Sequence, residues 1–484
     1  MSLLGLISPR SQGIRYLWNT RFHDFYEEYG ADTISIVPWL SSKPQIFSAD
    51  LEVMRQLMSG GVKSPWFRYR SFVLEEWGQN LFTSEKEEWQ KHRKILAPAF
   101  NSDMYADVWD QAVRTYHDMA EHEGWAYQET VEIPVMQKIT SRLAFIMIVV
   151  CGFGVEASWS DPTTTSTGDM TFSEALRILV KPSIAVLFPK WMRWLPIKTM
   201  REFRKARVML DQYMRVQVNE RRALVKSQIE LKEEGSRDIF SVLVRANEVN
   251  AQSAHTEKLI LSDDELIANV FLMLFAGHET TAETLSATFA LLAANQDAQE
   301  VLYKQIVEVV GTDRDPTPSE YHQLDKVLNA FYEASRLFPA SFAAGRIPVE
   351  DSPLVIPDAH GSGRDARIVV PKGILVMGDV LGVAYNPRYY PEPEKFLPSR
   401  WEGNGKTDMV TSFGLGPRGC IGRRFATTEA VAFLTMLLRD WKAEPLLKPG
   451  ESVDEWTKRV IDARFFFTLG IQDVPVRLTR RARA

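Results

Sequence analysis

The stretch Ser262–Ala294, "SDDELIANVFLMLFAGHETTAETLSATFALLAA", constrains the fold of this chain more than any other. Ser262 is a good N-cap, Glu265 completes a capping box, and acidic residues fill the positive first turn. No proline interrupts the pattern, which predicts one helix ending near Ala294. At 1.5 Å per residue that helix is about 45–50 Å long. Such a rod crosses most of a domain, so the remaining elements must pack around it.

The rest of the sequence agrees with a mainly helical architecture. Extended segments, "TISIV" and "PQIFS", appear early, between prolines 38 and 44 and their flanks. From about residue 85 to 340 the pattern is helical, and "LDKVLNAFYEASRLF" stops at Pro339. Beyond it, dense proline and glycine imply short strands and ordered coil, followed by a helix from about Arg423 to Trp441. No linker-like break divides the 484 residues, so a single domain over 1–484, mainly α with a small β component, is expected.

Composition removes several classes. A formal net charge of −5 gives no reason to expect nucleic acid as a partner. Two cysteines, Cys151 and Cys420, build no disulfide framework, and neither lies in a zinc-type or CxxCH spacing. Cys151 ends an apolar run from Leu143 and reads as a buried core thiol. The apolar stretch before Pro9 is too short for a signal peptide or a membrane span.

Cys420 is different. In "FGLGPRGCIG" it sits among Gly414, Gly416, Gly419 and Gly422, beside Arg418. Glycines let backbone amides approach the sulfur, and amides plus arginine favour a thiolate. A metal ligand and a nucleophile both fit that local chemistry.

Three further patterns carry a structural and a functional reading each. Gly277 sits mid-helix at a cost of about 1 kcal/mol, with Ala276 before it and His278, Glu279, Thr280 and Thr281 after it. Small residues there would admit a flat ligand, and Thr280 can bond back to the Ala276 carbonyl; helix packing is the plain competitor. Glu333 and Arg336 are an i, i+3 pair just before a helix end, while Trp89 and Arg93 share a face four residues apart. Each alone reads as structural.

Together, in this order, these patterns resemble the cytochrome P-450 family of haem-thiolate monooxygenases. The FxxGxRxCxG signature is matched by Phe413, Gly416, Arg418, Cys420 and Gly422, and [AG]Gx[DE]T[TS] by Ala276, Gly277, Glu279, Thr280 and Thr281. ExxR is Glu333 and Arg336, WxxxR is Trp89 and Arg93, and "EKFLPSRW" supplies Arg400 for the Glu–Arg–Arg cluster. One departure is Ala384-Tyr385-Asn386-Pro387, where many relatives carry a histidine-led motif.

The resemblance implies the cytochrome P-450 fold, with the long central helix over haem b. Cys420 would be the axial iron ligand, shielded by Phe413, with Gly422, Ala276 and Gly277 against the ring. Arg93 and Arg418 would pair with the haem propionates, with Trp89 alongside and Arg346 a further candidate by position. Thr280 and Glu279 would manage water and protons for bound O2, and Glu333, Arg336 and Arg400 would brace the structure. The implied reaction inserts one oxygen atom from O2 into a substrate. A haem-thiolate isomerase or dehydratase, and a haem carrier without turnover, are the competing activities; the Glu279–Thr280 pair argues against the former.

The segments that form the family's pocket contribute Phe67, Phe72, Phe271, Phe275, Phe342 and Phe465. Few fixed charges accompany them, which implies an apolar substrate: terpenoid, sterol, fatty-acyl or polycyclic aromatic. With no flavin motif after the signature, electrons come from a separate NADPH-dependent reductase, cytochrome b5 being a further candidate. Lys91, Lys94, Arg423 and Arg424 would offer it a basic face. Residues 187–195, with Trp191 and Trp194 among Lys190 and Arg193, have a bilayer-interface composition. Contact with the cytosolic face of the endoplasmic-reticulum membrane is expected, the usual N-terminal anchor being absent from this sequence. The motif style looks eukaryotic, in the manner of fungal relatives.

Overall fold

A computed structural model describes residues 15–37, 43–69, 74–160, 170, 174–175, 178–179, 194–231, 235–251, 259–358, 364–403, 411–465 and 468–482. Among the described residues the helices are α1 (Arg15–Thr20), α2 (Leu51–Met58), α3 (Lys86–Leu96), α4 (Ser102–His122), α5 (Gln137–Met147), α6 (Lys198–Leu231) and α7 (Ile239–Ala251). They continue with α8 (Asp263–Ala294), α9 (Gln296–Val310), α10 (Asp325–Leu337), α11 (Val380–Ala384), α12 (Arg423–Asp440) and α13 (Val453–Val460).

The predicted rod is α8. Ser262 Oγ accepts the Glu265 amide at 3.2 Å, and the Glu265 carboxylate returns to the Ser262 amide at 2.8 Å. Its 32 residues span about 48 Å, and most of them are buried on all sides. α8 therefore lies inside the helical bulk, packed against α5 and α10.

The strands form a minor part. β1 (Thr33–Ile36), β2 (Gln45–Ser48), β3 (Trp66–Arg68), β5 (Ala343–Pro348) and β8 (Val376–Asp379) build a five-stranded sheet in the order β1-β2-β8-β5-β3. Only the β2–β8 pair is parallel. β4 (Thr130–Ile133), β12 (Val476–Arg480) and β9 (Trp441–Pro445) form a second sheet. Two hairpins complete the set: β6 (Ser352–Ile356) with β7 (Ala366–Val370), and β10 (Ala463–Phe465) with β11 (Leu469–Ile471). One connected apolar core runs from Trp18 to Leu478, and a smaller one sits under the large sheet around Val53, Trp66 and Val376.

Candidate functional site

The cysteine loop connects a short turn, Thr411–Phe413, to α12. Gly414 and Gly416 take φ of 74° and 68°, conformations side-chain-bearing residues rarely adopt. At Gly416 a Cβ would also lie 2.7 Å from the Met58 carbonyl oxygen, so the loop rests directly on α2. The Cys420 amide donates to the Phe413 carbonyl at 2.8 Å, closing the loop.

Cys420 is accessible, yet surrounding protein pushes its thiol pKa up. The Gly422 amide, then Arg93, Arg423 and Arg68, favour the thiolate. Four glycines led us to expect several amides on the sulfur, but the Gly422 amide is the one that acts on it. The Phe413 ring packs edge-on to Tyr332 at 6.2 Å, under the Arg423 guanidinium at 5.6 Å.

Beside this loop stands a cluster of arginines. Arg68 on β3 and Arg346 on β5 are direct cross-strand partners. Burial lowers both, Arg346 to about 10, and the Arg418 charge lowers each further. The bond found for the Arg346 guanidinium among the described residues goes to the neighbouring Gly345 carbonyl. Arg418 lies over the Trp89 ring at 5.2 Å, pairs with Glu85, and keeps a buried Nε without a partner. Arg93, one turn beyond Trp89 on α3, is lowered by burial and supported by Cys420. Glu85 also accepts the Arg68 amide at 2.8 Å. One carboxylate thus faces several guanidinium groups.

Glu333 on α10 is the hub of a buried brace. Its carboxylate accepts Arg336 through Nε at 3.0 Å and Nη2 at 2.9 Å, and Arg400 Nε at 2.8 Å. Trp401 Nε1 and the Leu397 amide add bonds of 2.9 and 3.0 Å. Arg336 then binds the carbonyls of Ala384, Pro393 and Lys395, so one ion pair ties the end of α11 to the coil at 393–395. In the departing segment, Tyr385 donates to the Leu337 carbonyl at 3.1 Å and Asn386 to Asp32 at 3.0 Å. That segment is tied into the core without a histidine.

On α8, Ala276 is exposed although it is mid-way along a buried helix, so its side faces open space. Thr280 Oγ1 donates to the Ala276 carbonyl at 2.8 Å, the back-bond anticipated from sequence. For Gly277 the structure supports the packing alternative. A Cβ there would lie 2.9 Å from Ile148 Cδ1, so the glycine makes room for α8 to pack on the turn after α5. His278 completes that junction, its Nε2 3.1 Å from the Ser141 carbonyl, and burial lowers it to about 4. Glu279 accepts Thr468 Oγ1 at 2.9 Å, and burial raises its carboxyl.

The pocket aromatics fall into two groups. Phe271 sits between Trp77, at 4.4 Å, and Phe275, at 6.0 Å, with its ring tilted against both. Phe342 and Phe465 meet edge-on at 5.4 Å. Phe67 lies on β3, near the Lys86 ammonium, and Phe72 lies outside the described residues. Of segment 187–195, Trp194 and Leu195 are described, both exposed. Lys91 is not a free surface charge: it pairs with Glu265 at 2.8 Å and Glu88 at 2.7 Å.

These residues suit an anionic, metal-bearing planar group. An accessible thiol supplies one soft ligand, an unpartnered Arg418 Nε and an under-bonded Arg346 await anionic oxygens, and Ala276 leaves space for a flat face. Sequence reading missed Arg68 and Glu85, which become neighbours through strand register and a helix start. It also missed Glu283 and Thr468, although Glu283 stands one helical turn after Glu279.

A family model described as Cytochrome P450 matches residues 15–461. "Cytochrome P450 monooxygenase 124" of Postia placenta is 33% identical over 471 residues, covering 96% of this chain and 88% of that protein. "Cytochrome P450 4F5" of Rattus norvegicus is 29% identical over 406 residues, covering 78% and 72%. The crystal structure of a "cytochrome P450DA heme domain" superposes with a TM-score of 0.76 at 19% identity, covering 99% of this chain and 95% of that one.

Proposed function

This chain belongs to the cytochrome P450 family and is a monooxygenase, and on that premise we propose the finer assignment. It inserts one oxygen atom from O2 into an apolar substrate, using haem b and electrons from a separate NADPH-dependent reductase. The observation that carries this reading is the accessible Cys420 thiol beside the incompletely neutralised Arg68–Arg346–Arg418 cluster.

When bound, the haem supplies the iron that activates dioxygen. Cys420 would hold that iron, and Arg68, Arg346, Arg418 and Arg93 would neutralise the propionates. Ala276 would leave the ring face uncovered. Thr280 spends its hydroxyl proton on the Ala276 carbonyl, so its oxygen remains an acceptor towards the open side. Burial raises the Glu279 carboxyl, and its buried Oε2 has no hydrogen-bond partner among the described residues. In this reading that oxygen would carry the proton that Glu279 passes on beside Thr280.

Phe271 and Phe275 on one side, and Phe342 and Phe465 on the other, support an apolar substrate; Phe67 is the fifth candidate contact. Arg423, Arg424 and Lys94 remain the basic residues suited to an acidic flavin domain or cytochrome b5. Trp194, 78% exposed, with Leu195 and Ile197, supports contact with the cytosolic face of the endoplasmic reticulum. No helix among the described residues is long and apolar enough to cross a membrane. Liposome flotation checks this contact: Trp194→Ser should reduce binding, and unchanged flotation removes the idea.

The decisive experiment loads the chain with haem and records the spectrum of the reduced, carbon-monoxide-bound form. A red-shifted Soret band is expected from the Cys420 ligand, and Cys420→His should abolish it. NADPH consumption with an added reductase then separates oxygenation from isomerase or carrier activity.

A further inference from the structure

Glu279 does not stand alone on α8. Glu283, one turn later, presents its carboxylate to the same hairpin, β10–β11. A Cβ on Gly470 would come within 2.1 Å of Glu283 Oε2, so the hairpin backbone lies directly against this side chain. Glu279 is fixed to the intervening turn by Thr468. One oxygen of each carboxyl, Oε2 in both, is buried and has no hydrogen-bond partner among the described residues. Glu283 as a whole is nevertheless partly exposed. One residue thus reaches from solvent to an unsatisfied acidic neighbour inside the protein.

Two buried carboxylates one turn apart cannot both ionise cheaply. Burial and the Glu279 charge push Glu283 up to about 7. The groups facing it are Glu279 on α8, Arg464 on β10, Asp473 after β11, and the Ile471 amide, which with Arg464 favours the charged form. Arg464 and Asp473 pair with each other at 2.6 Å on the exposed edge, so most of the Arg464 charge is already spent. A structural carboxylate would be expected to sit ionised in a full set of donors; Glu283 sits beside a second acid with an orphaned oxygen.

We propose that Glu283 is a positioning residue that reloads Glu279 with protons taken from solvent at the Arg464–Asp473 edge. The step forms and breaks O–H bonds alone. Glu283 gives its proton to a Glu279 carboxylate, becomes a carboxylate itself, and recovers a proton from a hydronium ion in the solvent, which makes the pair a dyad with one neutral member. The proposal rests on the monooxygenase reading, in which Glu279 delivers protons beside Thr280.

Two measurements test it. Isotope-edited infrared titration of haem-free protein carrying 13C-labelled glutamate should show, apart from the band of the buried Glu429, a protonated carboxyl band that is lost near pH 7. Glu283→Gln should remove that band, and Glu283→Asp should restore one. In haem-loaded protein with a flavin reductase, Glu283→Gln should move the midpoint of the pH–NADPH-consumption profile by at least one unit. It should also raise several-fold the share of electrons recovered as hydrogen peroxide, with Glu283→Asp in between. If the band is unaffected by Glu283→Gln, or the pH profile stays with wild type while only stability changes, Glu283 is a hairpin latch and the proposal fails. A wild-type protein that consumes no NADPH overturns the monooxygenase reading instead, and the infrared band alone still decides the dyad.

Discussion

Arg68 and Arg346 face each other across the antiparallel β3–β5 ladder as direct register partners. Like charges opposite one another in a sheet oppose pairing by a few tenths to about 1 kcal/mol. Here the strain is greater, because Arg346 is buried, Arg68 is half-buried, and the Arg418 charge acts on both. Such a pair favours a bound anion, and in the proposed reading the haem propionates would be that anion.

The first prediction follows from that pair. Replacing Arg68 by Met removes a repulsion from haem-free protein and a counter-charge from haem-loaded protein. The haem-free melting temperature should therefore stay level or rise, while haem transfer to apomyoglobin should quicken at least several-fold. Faster haem loss with an equally lowered haem-free melting temperature would show ordinary loss of structure instead.

Glu333 is fully buried and carries two arginines, a tryptophan and a backbone amide. Removing its charge leaves Arg336 and Arg400 without a counter-ion, which costs about 3–5 kcal/mol. Guanidinium unfolding of Glu333→Gln should read that loss. Trp401→Phe deletes one bond to a charged acceptor and should lose about 1.5–3 kcal/mol. Equal effects from the two variants would deny Glu333 its place as hub.

What was legible in sequence was whatever is local or strictly spaced. The α8 start needed Ser262 and Glu265 alone, and the Thr280 back-bond needed the carbonyl four residues earlier. Cys420 stood out because its glycines are its neighbours. The misses depend on distant partners. Arg68 gains meaning from the register that sets it against Arg346, and no feature of "WFRYR" announces that strand pairing. Glu85 reads as an ordinary helix-start acid until Arg418 arrives from the other end of the chain. For Gly277 the sequence allows either space for a flat ligand or helix packing, and the distant Ile148 is the contact that supports packing.

That packing contact yields a double-mutant prediction. Gly277→Ala gains about 1 kcal/mol of helix propensity but forces a methyl to 2.9 Å from Ile148 Cδ1, an overpacking cost of about 1–3 kcal/mol. Ile148→Val removes that Cδ1 and alone should cost about 0.5–1.5 kcal/mol. Together the two changes should be at least about 1 kcal/mol better than their sum. Strict additivity in chemical unfolding would mean that Gly277 serves something other than this contact.

Asp379, at the end of β8, gives a pH prediction whose sign can be worked out. It accepts the Tyr26 hydroxyl at 2.9 Å and the Gly382 amide at 2.8 Å, but burial is the larger effect and raises it from 3.8 to about 6. Below the unfolded value both states hold the proton, and Asp379 carries no ionisation penalty. As pH rises through the folded value, the unfolded chain has already released its proton and the folded chain must follow at a cost. Stability from this group therefore falls between about pH 4 and pH 6, by about 3 kcal/mol for a two-unit shift. Asp379→Asn keeps a carbonyl acceptor but cannot ionise. The unfolding free energy of wild type minus that of Asp379→Asn should decrease by about that amount from pH 4 to pH 7. A difference that stays constant over this range would mean that Asp379 remains an ordinary carboxylate in the folded protein.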